Sequence, residues 1–570
     1  MTAILAERPN PPLASPTSAL SHVGGNPEPL RQRMSRMTPT SRLPAVRAAL
    51  TGLIAVFAAL GVGHLISGLI LTPAASPFLA VGNAAIDRTP AAVKDFAITH
   101  FGTNDKPALL VGMAVALVLF GVLLGLMSRR SVVPGLAAIV FLGVVGTLAV
   151  AEQSTGWLGL LAPLASLLAG VGAFWWLHRR AQPRPVDAIH DADAGAGEAA
   201  DDVPTRGLGR RRFVLSSLAA ALGALVAGAG GFALGKRIDV TASRRAVGEL
   251  VPTTPAPPIP AGAAFPKLGT PTFITPAADF YRIDINLTVP QLRAEDAVLR
   301  ITGMVDTPVE FTFDEIRSMP LVEKTITMTC VSNEVGGPYV STANFIGVPL
   351  LDLLDQAGIQ DGAQQVVGHS VDGFTLGTPL DLLRNAGKEA LLAIGMNREA
   401  LLPEHGFPMR TVVPGLYGYV SATKWLTELE LATYNIKPYW VERGWDGQPP
   451  GVVPIKISSR IDAPSSFQRV PSGDVTVAGT AWAQGRGISK VELRFDNEEW
   501  QPAELATEVN RNTWRMFRLT RPLAPGQHTV TSRAFDGSGV MQAEDRLRLI
   551  NPGPVPDGST GWQSMFFTVG

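Results

Sequence analysis

The sequence MTCVSNEVGG, Met328–Gly337, contains Cys330, the only cysteine among 570 residues. A single thiol cannot close a disulfide within its own chain, and it cannot supply the several cysteines of a typical structural zinc site. Cys330 is therefore either a small buried hydrophobic residue or a nucleophile or thiolate ligand. It follows a strand-like run and lies in a glycine-bounded loop, where a rigid scaffold often places chemistry. A soft or high-valent metal would suit this thiolate and would have to bring most of its own ligands.

Outside this loop, the apolar residues are concentrated near the start of the chain. The whole chain is 46% hydrophobic and 17% charged with a net charge of zero, a balance that argues against a nucleic-acid partner. Residues 1–44 are rich in Pro, Ser and Arg and predict a disordered cytoplasmic tail. Residues 45–178 contain four apolar runs, each near the ~20 residues that a transmembrane helix needs. These runs are Val46–Leu71, Ala108–Met127, Val132–Val150 and Trp157–Leu177.

The basic residues that flank these runs predict their orientation, because Lys and Arg collect on the cytoplasmic side of short loops. They precede the first run or lie at its start, separate the second from the third and follow the fourth: Arg31, Arg33, Arg36, Arg42, Arg47, Arg129, Arg130, Arg179, Arg180 and Arg184. The predicted outer loop after the first run is a mild exception, since it carries Arg88, Lys94 and Lys106. Four spans thus return the chain to the cytoplasm, where residues 179–209 form an acidic, Ala/Gly-rich linker.

A weaker apolar run predicts a fifth transmembrane helix at residues 210–236. It opens with Arg210-Arg211-Arg212-Phe213-Val214, which resembles an internal, uncleaved twin-arginine export signal. The same arginines would also suit an ordinary positive-inside anchor. In either case the chain is a multi-pass cell-membrane protein whose remaining residues are extracytoplasmic. Residues 237–270 include VPTTPAPPIPAGAAFP and predict a Pro-rich, semi-rigid connector off the membrane.

Two further domains follow the connector. Residues 271–452 mix strand-like runs such as KTITMTCVS with helical stretches such as GVPLLDLLDQAG, which predicts an α+β domain. Residues 453–570 contain alternating runs such as KVELRFD between Gly, Pro and Asn turns, which predict an all-β, immunoglobulin-like sandwich. We expect Trp482 and Trp500 in its core, whereas Arg460 suits the core, an interface or a pocket. The predicted architecture is multi-domain: an N-terminal α-helical membrane bundle, an α+β domain and an all-β sandwich.

Five motifs give the α+β segment a specific resemblance. FYRIDINLTVP, ITMTCVSNEVGG, SVDGF, LLPEHGFPMRTVVPGLYGYVSATKW and PIKISSRIDAP follow, in this order, the pattern of the sulfite oxidase family of molybdenum-cofactor, molybdopterin-dependent oxidoreductases. The similarity covers about Phe280–Pro464 and is greatest to the membrane-anchored bacterial members. In that family the pterin dithiolene gives molybdenum two sulfurs and one protein cysteine gives a third. The resemblance implies a molybdenum cofactor in the α+β domain and dimerisation, as a homodimer, through the sandwich.

The resemblance also assigns roles to individual residues. Cys330 matches the metal ligand, and Arg282 matches an arginine near metal and substrate, so these two are the candidate catalytic residues. The candidate cofactor-binding residues are Phe280, Tyr281, Arg282, Ile283, Asp284, Asp372, His405, Arg410, Thr423 and Lys424. Three of them, Arg410, Lys424 and His405, supply the guanidinium, ammonium and imidazole donors that suit a terminal phosphate. Each alone would fit an ordinary surface ion pair or loop position, but the ordered set favours a cofactor site.

Two departures from the family pattern concern the substrate. Sulfite oxidases have arginines after the cysteine, whereas this chain has Val331-Ser332-Asn333-Glu334-Val335, which adds a carboxylate and disfavours a dianion such as sulfite. The tyrosine expected after KWL is missing, because Tyr439 lies out of register and Trp445 stands near the expected place. Arg282 is retained, which keeps an anionic substrate open.

The sequence has no haem-attachment motif and no iron–sulfur cysteine set. A bis-histidine haem among the spans is disfavoured, since only His64 is well placed and His178 lies at a cytoplasmic end. A separate electron-transfer partner, a cytochrome or a quinone-linked carrier, is therefore expected. The predicted function is oxygen-atom transfer on a small sulfur-type or other oxo-acceptor substrate. The alternatives are sulfoxide reductase-like activity and a non-catalytic binding or assembly module on a degenerate cofactor domain.

Overall fold

The computed structural model describes residues 42–570 apart from residues 71, 90–92, 94–104, 154–155, 183–205, 236–239, 445–453 and 546–557. The predicted tail before residue 42, most of the predicted linker and Trp445 lie outside the described residues. The N-terminal helices are α1 (Ala45–Leu69), α2 (Pro77–Arg88), α3 (Asp105–Met127), α4 (Val133–Ala151), α5 (Gly156–Gly159), α6 (Leu161–Ala181) and α7 (Arg206–Gly235). Within these described ranges, five segments, α1, α3, α4, α5 with α6, and α7, are long and apolar enough to cross a membrane.

Helix α1 lies at the centre of the bundle and packs closely against its neighbours through small residues. A Cβ on Gly52 would clash with the Gly121 carbonyl of α3, and a Cβ on Gly61 would clash with the Ala224 carbonyl of α7. Backbones approach this closely where small residues line a transmembrane helix interface. In the N-terminal part of α7, Phe213 is buried among the ends of other helices of the bundle. The arginine-preceded run is therefore an integral helix of the bundle, and its export role stays a prediction.

The two histidines in the described part of the bundle lie at opposite ends of it. The Nδ1 atom of His64 is 3.2 Å from the Oγ of Ser76, which precedes α2. The Nε2 atom of His178 is 2.9 Å from the carbonyl of Ser128, which follows α3. Their imidazoles therefore do not face each other.

The α+β region contains two sheets that share one hydrophobic core. The first has the order β2–β1–β10–β5–β6, and β10 runs parallel to β1 and antiparallel to β5. The second has the order β3–β4–β7–β8, with β9 paired to β7. The strands are β1 (Val298–Gly303), β2 (Val309–Thr312), β3 (Val322–Thr329), β4 (Val340–Pro349), β5 (Gln365–Ser370), β6 (Thr375–Pro379), β7 (Leu391–Met396), β8 (Glu399–Ala400), β9 (Arg410–Val412) and β10 (Leu426–Ala432).

Short helices lie before, between and after these strands, so the mixed α+β prediction is confirmed. They are α8 (Val240–Val247), α9 (Phe313–Ser318), α10 (Leu350–Ala357), α11 (Leu380–Ala386), α12 (Gly418–Ser421) and α13 (Tyr439–Glu442). Helix α10 shows why they form: Leu350, Leu353 and Leu354 recur at helical spacing and are fully buried, whereas the polar positions face outward.

The C-terminal region is the predicted all-β sandwich. One sheet has the order β11–β13–β17–β16 and the other β12–β19–β18–β14–β15. The strands are β11 (Ser458–Ala463), β12 (Arg469–Val470), β13 (Gly473–Trp482), β14 (Ile488–Phe495), β15 (Gln501–Pro502), β16 (Glu504–Leu505), β17 (Arg515–Leu523), β18 (Gly526–Asp536) and β19 (Gln563–Val569). Alternate residues of β14, Val491, Leu493 and Phe495, point into the core.

The two tryptophans of the sandwich have different environments. Trp482 is buried, as predicted. Trp500 is only half-buried, so its prediction as a core residue is wrong. It packs edge-on against Trp562 with ring centroids 5.0 Å apart, and the Arg533 guanidinium lies 4.0 Å from its ring. Cation–π contact thus stabilises this indole on the outer face without burying it.

The Pro-rich connector does not form the predicted spacer. Thr254 extends the second sheet beyond β3, since its amide donates to the Leu321 carbonyl (3.2 Å) and its carbonyl accepts from the Glu323 amide (2.9 Å). Further along, Ala263 and Phe265 are buried in a cluster with residues of the sandwich. The apolar residues between the prolines bury enough surface to hold the segment against both domains.

The sandwich covers the free edge of β3, the strand that leads to Cys330. The Thr327 amide donates to the Asn512 carbonyl (2.9 Å), and the Trp514 amide donates to the Thr327 hydroxyl (2.8 Å). The Gln484 side chain donates to the Thr329 hydroxyl (3.0 Å). In the loop after Cys330, the Arg460 guanidinium donates to the Gly337 carbonyl (3.0 Å), which makes Arg460 an interface residue.

Candidate active site

Cys330 follows the last residue of β3 and begins a tight loop. Its amide donates to the Tyr339 carbonyl (3.0 Å), and its carbonyl accepts from the Asn333 amide (3.0 Å). Burial raises the pKa of the thiol, whereas the Ser332 amide, 3.4 Å from Sγ, and the charge of Lys424 act in the opposite direction. The sulfur is therefore held in place at a strand end, with a donor and a cation that favour the thiolate form.

Three basic side chains of one motif, His405, Arg410 and Lys424, lie in the same region. Arg410, the first residue of β9, donates from Nη1 to the His405 carbonyl (3.1 Å). Lys424, which precedes β10, donates from Nζ to the Glu404 carbonyl (3.2 Å). Gly406 permits this approach, because its φ is +101° and a Cβ there would lie 2.9 Å from the Lys424 Cβ.

Burial controls the electrostatics of this basic cluster, His405, Arg410 and Lys424. Desolvation lowers the pKa of Arg410 to about 10 and that of Lys424 to about 8. Desolvation, together with the charge of Arg410, lowers the pKa of His405 to about 4, so its imidazole is neutral near pH 7. Each lowered pKa means that the surroundings disfavour further positive charge, and an anion bound among these side chains would reverse this.

The loop Phe280–Asp284 lies against the basic cluster. The Phe280 ring stacks on Tyr281 (5.4 Å, 20°) and meets the His405 ring edge-on (5.4 Å). Burial, followed by the nearby Cys330, raises the pKa of Tyr281, so this phenol stays protonated beside the thiol. The Arg282 side chain is 36% exposed, which leaves its guanidinium accessible from solvent.

Two carboxylates connect this loop to the rest of the site. Asp284 Oδ2 accepts from Arg282 Nε (2.6 Å) and from Lys424 Nζ (3.3 Å). Although burial acts to raise its pKa, the cations Lys424, Lys106 and Arg282 hold the pKa of Asp284 well below the usual range. Asp372, in the turn between β5 and β6, accepts from the Asn286 side-chain amide. The predicted residues from the loop, from the β5–β6 turn and from the basic cluster are thus linked in one network.

Some residues lie outside this network. The Ile283 side chain is exposed, and Glu334 is exposed in the loop after Cys330. The Tyr439 hydroxyl donates to Asp87 of α2, and the Arg443 guanidinium lies 3.5 Å from the Tyr439 ring centroid. Tyr439 is therefore a contact between the α+β region and the membrane bundle.

Residues that the sequence reasoning did not assign to the site also contact it. Lys106 of α3 donates to Asp284 (2.8 Å), and Asn286 joins Asp284 to Asp372. The one signal for Lys106 was its charge, which stood out in a loop predicted to be poor in basic residues. Asn286 lies within the motif FYRIDINLTVP, but the resemblance assigned it no role.

The site has more positive than negative charge. A phosphate-bearing cofactor requires such an excess of positive charge, so the charge balance tests whether the cofactor fits. Among the described residues, no carboxylate lies within 4.0 Å of the Arg410 guanidinium, and Asp284 is shared by three cations. The hydroxyls of Thr423 and Ser370 are buried without a hydrogen-bond partner within the same described part of the chain. Buried cations and hydroxyls of this kind normally have partners. A phosphate-bearing pterin would supply them, so the residues present fit the group.

Comparison with protein families agrees with this geometry. The family model for the oxidoreductase molybdopterin binding domain matches residues 286–440, and that for a bacterial Ig domain matches residues 458–531. Mitochondrial sulfite oxidase of Homo sapiens is 30% identical over 330 residues, which cover 50% of this chain and 60% of the human protein. The uncharacterized oxidoreductase YuiH of Bacillus subtilis is 33% identical over 147 residues, which cover 26% of this chain and 71% of YuiH.

The chain thus spans about 60% of the length of the sulfite oxidases of mammals that it matches. Among solved structures, the sulfane dehydrogenase SoxCD of Paracoccus pantotrophus aligns with a TM-score of 0.46 and 24% identity, over 52% of this chain and 81% of that chain. The domain match, the relatives and the lone cysteine beside a buried basic cluster lead to the same conclusion: this chain belongs to the sulfite oxidase family of molybdopterin-binding oxidoreductases.

Proposed function

We propose that this protein is a membrane-anchored, extracytoplasmic oxidoreductase that carries out two-electron oxygen-atom transfer on a small sulfur-containing substrate. The observation that carries the proposal is the position of Cys330, at a strand end beside the buried basic cluster. The membrane helices support anchoring, and the distribution of basic residues supports an outward-facing active domain. We take residues 271–452 as the cofactor domain and residues 453–570 as the sandwich.

We assign different roles in the site to different residues of the chain. Cys330 would hold the metal through its thiolate, and Arg410, Lys424, His405 and Thr423 would hold the phosphate and pterin by charge-assisted and hydroxyl hydrogen bonds. When bound, the molybdenum cofactor would supply the oxygen-atom and electron transfer. The sandwich would keep β3, and with it Cys330, in place.

Arg282 would orient the substrate. Its exposed guanidinium suits an anionic sulfur oxide, and the relatives named sulfite oxidases make sulfite the first substrate to test. Glu334 acts against sulfite, because it places an exposed carboxylate in the loop after Cys330. A neutral sulfoxide is therefore the second candidate. Electrons would pass to a separate cytochrome or quinone-linked partner, and the sandwich would form a homodimer.

The test is the molybdenum and pterin content of the full-length protein, purified from a host that makes the cofactor. We expect about one molybdenum per chain in the wild type, with loss of turnover and a changed metal spectrum in Cys330→Ser, because an alcohol replaces the thiolate ligand. Glu334→Gln serves as the control in the same loop. It should keep its metal and lower the KM for sulfite a few-fold, since a repulsive charge is removed. A well-folded wild type without metal or pterin would contradict the proposal and favour a binding module.

A further inference from the structure

The membrane bundle contacts the active-site loop directly. Lys106, in the first turn of α3, donates from Nζ to Asp284 Oδ1 (2.8 Å) and to the main-chain carbonyls of Asp284 (3.1 Å) and Asn286 (2.6 Å). One ammonium therefore binds the loop at three points. Its side chain is 28% exposed, whereas that of Asp284 is only 3% exposed, so the contact is largely shielded from water.

The two oxygens of Asp284 divide their partners between the bundle and the site. Oδ1 accepts from Lys106 and from the Asn286 amide (3.2 Å), while Oδ2 accepts from Arg282 and Lys424. Without Lys106, Oδ1 would lose its charged donor, and the carboxylate could rotate to offer both oxygens to Arg282, the geometry that guanidinium groups prefer. Arg282 would then be drawn toward Asp284 and away from an incoming anion.

Helix α2 supports the same loop from a second position. The Asn83 side-chain carbonyl accepts from the Leu287 amide (3.3 Å), and a Cβ on Gly82 would lie 2.6 Å from the Leu287 side chain. Farther along α2, Asp87 accepts from Tyr439. The bundle therefore holds the loop from Asp284 to Leu287 and the segment at Tyr439 together, so that Lys106 acts on a loop whose position is already restricted.

We propose that Lys106 is a positioning residue of the active site, which acts through Asp284 to orient Arg282 for substrate. The inference rests on the proposed function and assigns part of that function to the membrane bundle. It also explains why a lysine stands at this end of α3, where the distribution of basic residues predicts few. The lysine carries a charge that the loop requires and that the cofactor domain does not itself provide at Asp284 Oδ1.

The experiment uses the full-length protein in detergent, with Lys106→Ala, Lys106→Arg and, as a control, Glu152→Gln. Glu152 belongs to an exposed ion pair with Arg88 on the same side of the bundle and, within the described part of the chain, forms no side-chain hydrogen bond to the loop. The first readout is hydrogen exchange of the peptide that contains the Asn286 and Leu287 amides. We expect exchange about tenfold faster in Lys106→Ala, near wild type in Lys106→Arg and unchanged in Glu152→Gln, because Lys106 holds the loop that presents these amides.

The second readout is the steady-state kinetics of the molybdenum-loaded variants with sulfite and with dimethyl sulfoxide. We expect the KM for sulfite to rise about five- to tenfold in Lys106→Ala, with kcat changed less than about twofold, a smaller effect on the neutral sulfoxide, and recovery in Lys106→Arg. Faster exchange without any change in KM would show a purely structural contact and overturn the positioning role. Unchanged exchange would overturn the contact itself. A wild type without metal would overturn the proposed function and the positioning role together, while the exchange data would still report the contact.

Discussion

At the scale of single residues, the site depends on polar groups buried without enough partners of their own. Arg410 is buried with main-chain carbonyls as its hydrogen-bond acceptors, and the Thr423 hydroxyl is buried without one among the described residues. Such groups lower the stability of an unliganded protein, because each has lost water without a replacement. Their presence indicates that the protein is built for its liganded state.

Thr423→Val tests this inference, because it removes the unpaired hydroxyl oxygen. Valine has nearly the shape of threonine, so we expect the cofactor-free protein to be equally stable or up to about 1 kcal/mol more stable, since a buried unpaired hydroxyl is removed. Pterin content after loading should fall several-fold. Denaturant midpoints and fluorescence of the extracted pterin measure the two effects.

Thr325→Val is the matched control, because the Thr325 hydroxyl donates to the Asn344 side chain (2.8 Å). Its loss removes a hydrogen bond from the partly buried Asn344 side chain, so this variant should be less stable and retain its pterin. A lower stability of Thr423→Val with full pterin content would contradict the assignment of Thr423 to the cofactor site.

At the scale of secondary-structure elements, the membrane bundle is organised around α1. Glycine is required where α1 and α7 cross, since a Cβ on Gly231 would clash with the His64 carbonyl and a Cβ on Gly68 would clash with Gly231. Close backbone approach is how helices associate when lipid surrounds them.

Gly231→Leu should separate α1 from α7, because the new side chain meets main-chain atoms that cannot move aside. We expect a loss of at least about 1–3 kcal/mol, seen as a lower melting temperature in detergent. Gly223→Leu on the same helix is the control, since nothing lies within 4 Å of a Cβ at Gly223. Equal melting temperatures for the two variants would show that this packing is unimportant.

At the scale of the whole molecule, the cofactor domain is held from two sides. The sandwich and the connector cover β3, which carries Cys330 at its end, while the bundle holds the loop with Arg282. Trp514 is central to the first contact, because it is buried and its indole Nε1 donates to the Phe273 carbonyl (3.1 Å). The segments that carry both catalytic candidates therefore contact structure outside the cofactor domain.

Trp514→Ala should lower the free energy of unfolding by about 3–5 kcal/mol, the cost of a large cavity, and reduce molybdenum content because β3 loses its support. Trp500→Ala removes the same side chain from a half-buried surface position and should cost much less. Denaturant midpoints and metal analysis distinguish the variants. Similar losses of stability and of molybdenum in both variants would mean that the contacts of Trp514 do not support the site.

Much of this organisation could be predicted from the sequence, because it depends on local patterns. Apolar runs of membrane length gave the spans, alternation gave the sandwich strands, and the motif order around Cys330, His405 and Arg410 gave the family. The predictions for Trp500 and the connector were wrong for one reason: composition does not tell which face of a strand or which stretch of coil finds a partner.

The sequence by itself determined the types of domain, their order and the chemical groups available to the site. Only the tertiary structure decided which groups meet. Lys106 and Asp284 are 178 residues apart along the chain, and Thr327 and Trp514 are 187 apart. No local pattern encodes such pairs, because they arise when separately folded segments bury surface against each other and the polar groups at the contact become paired across it.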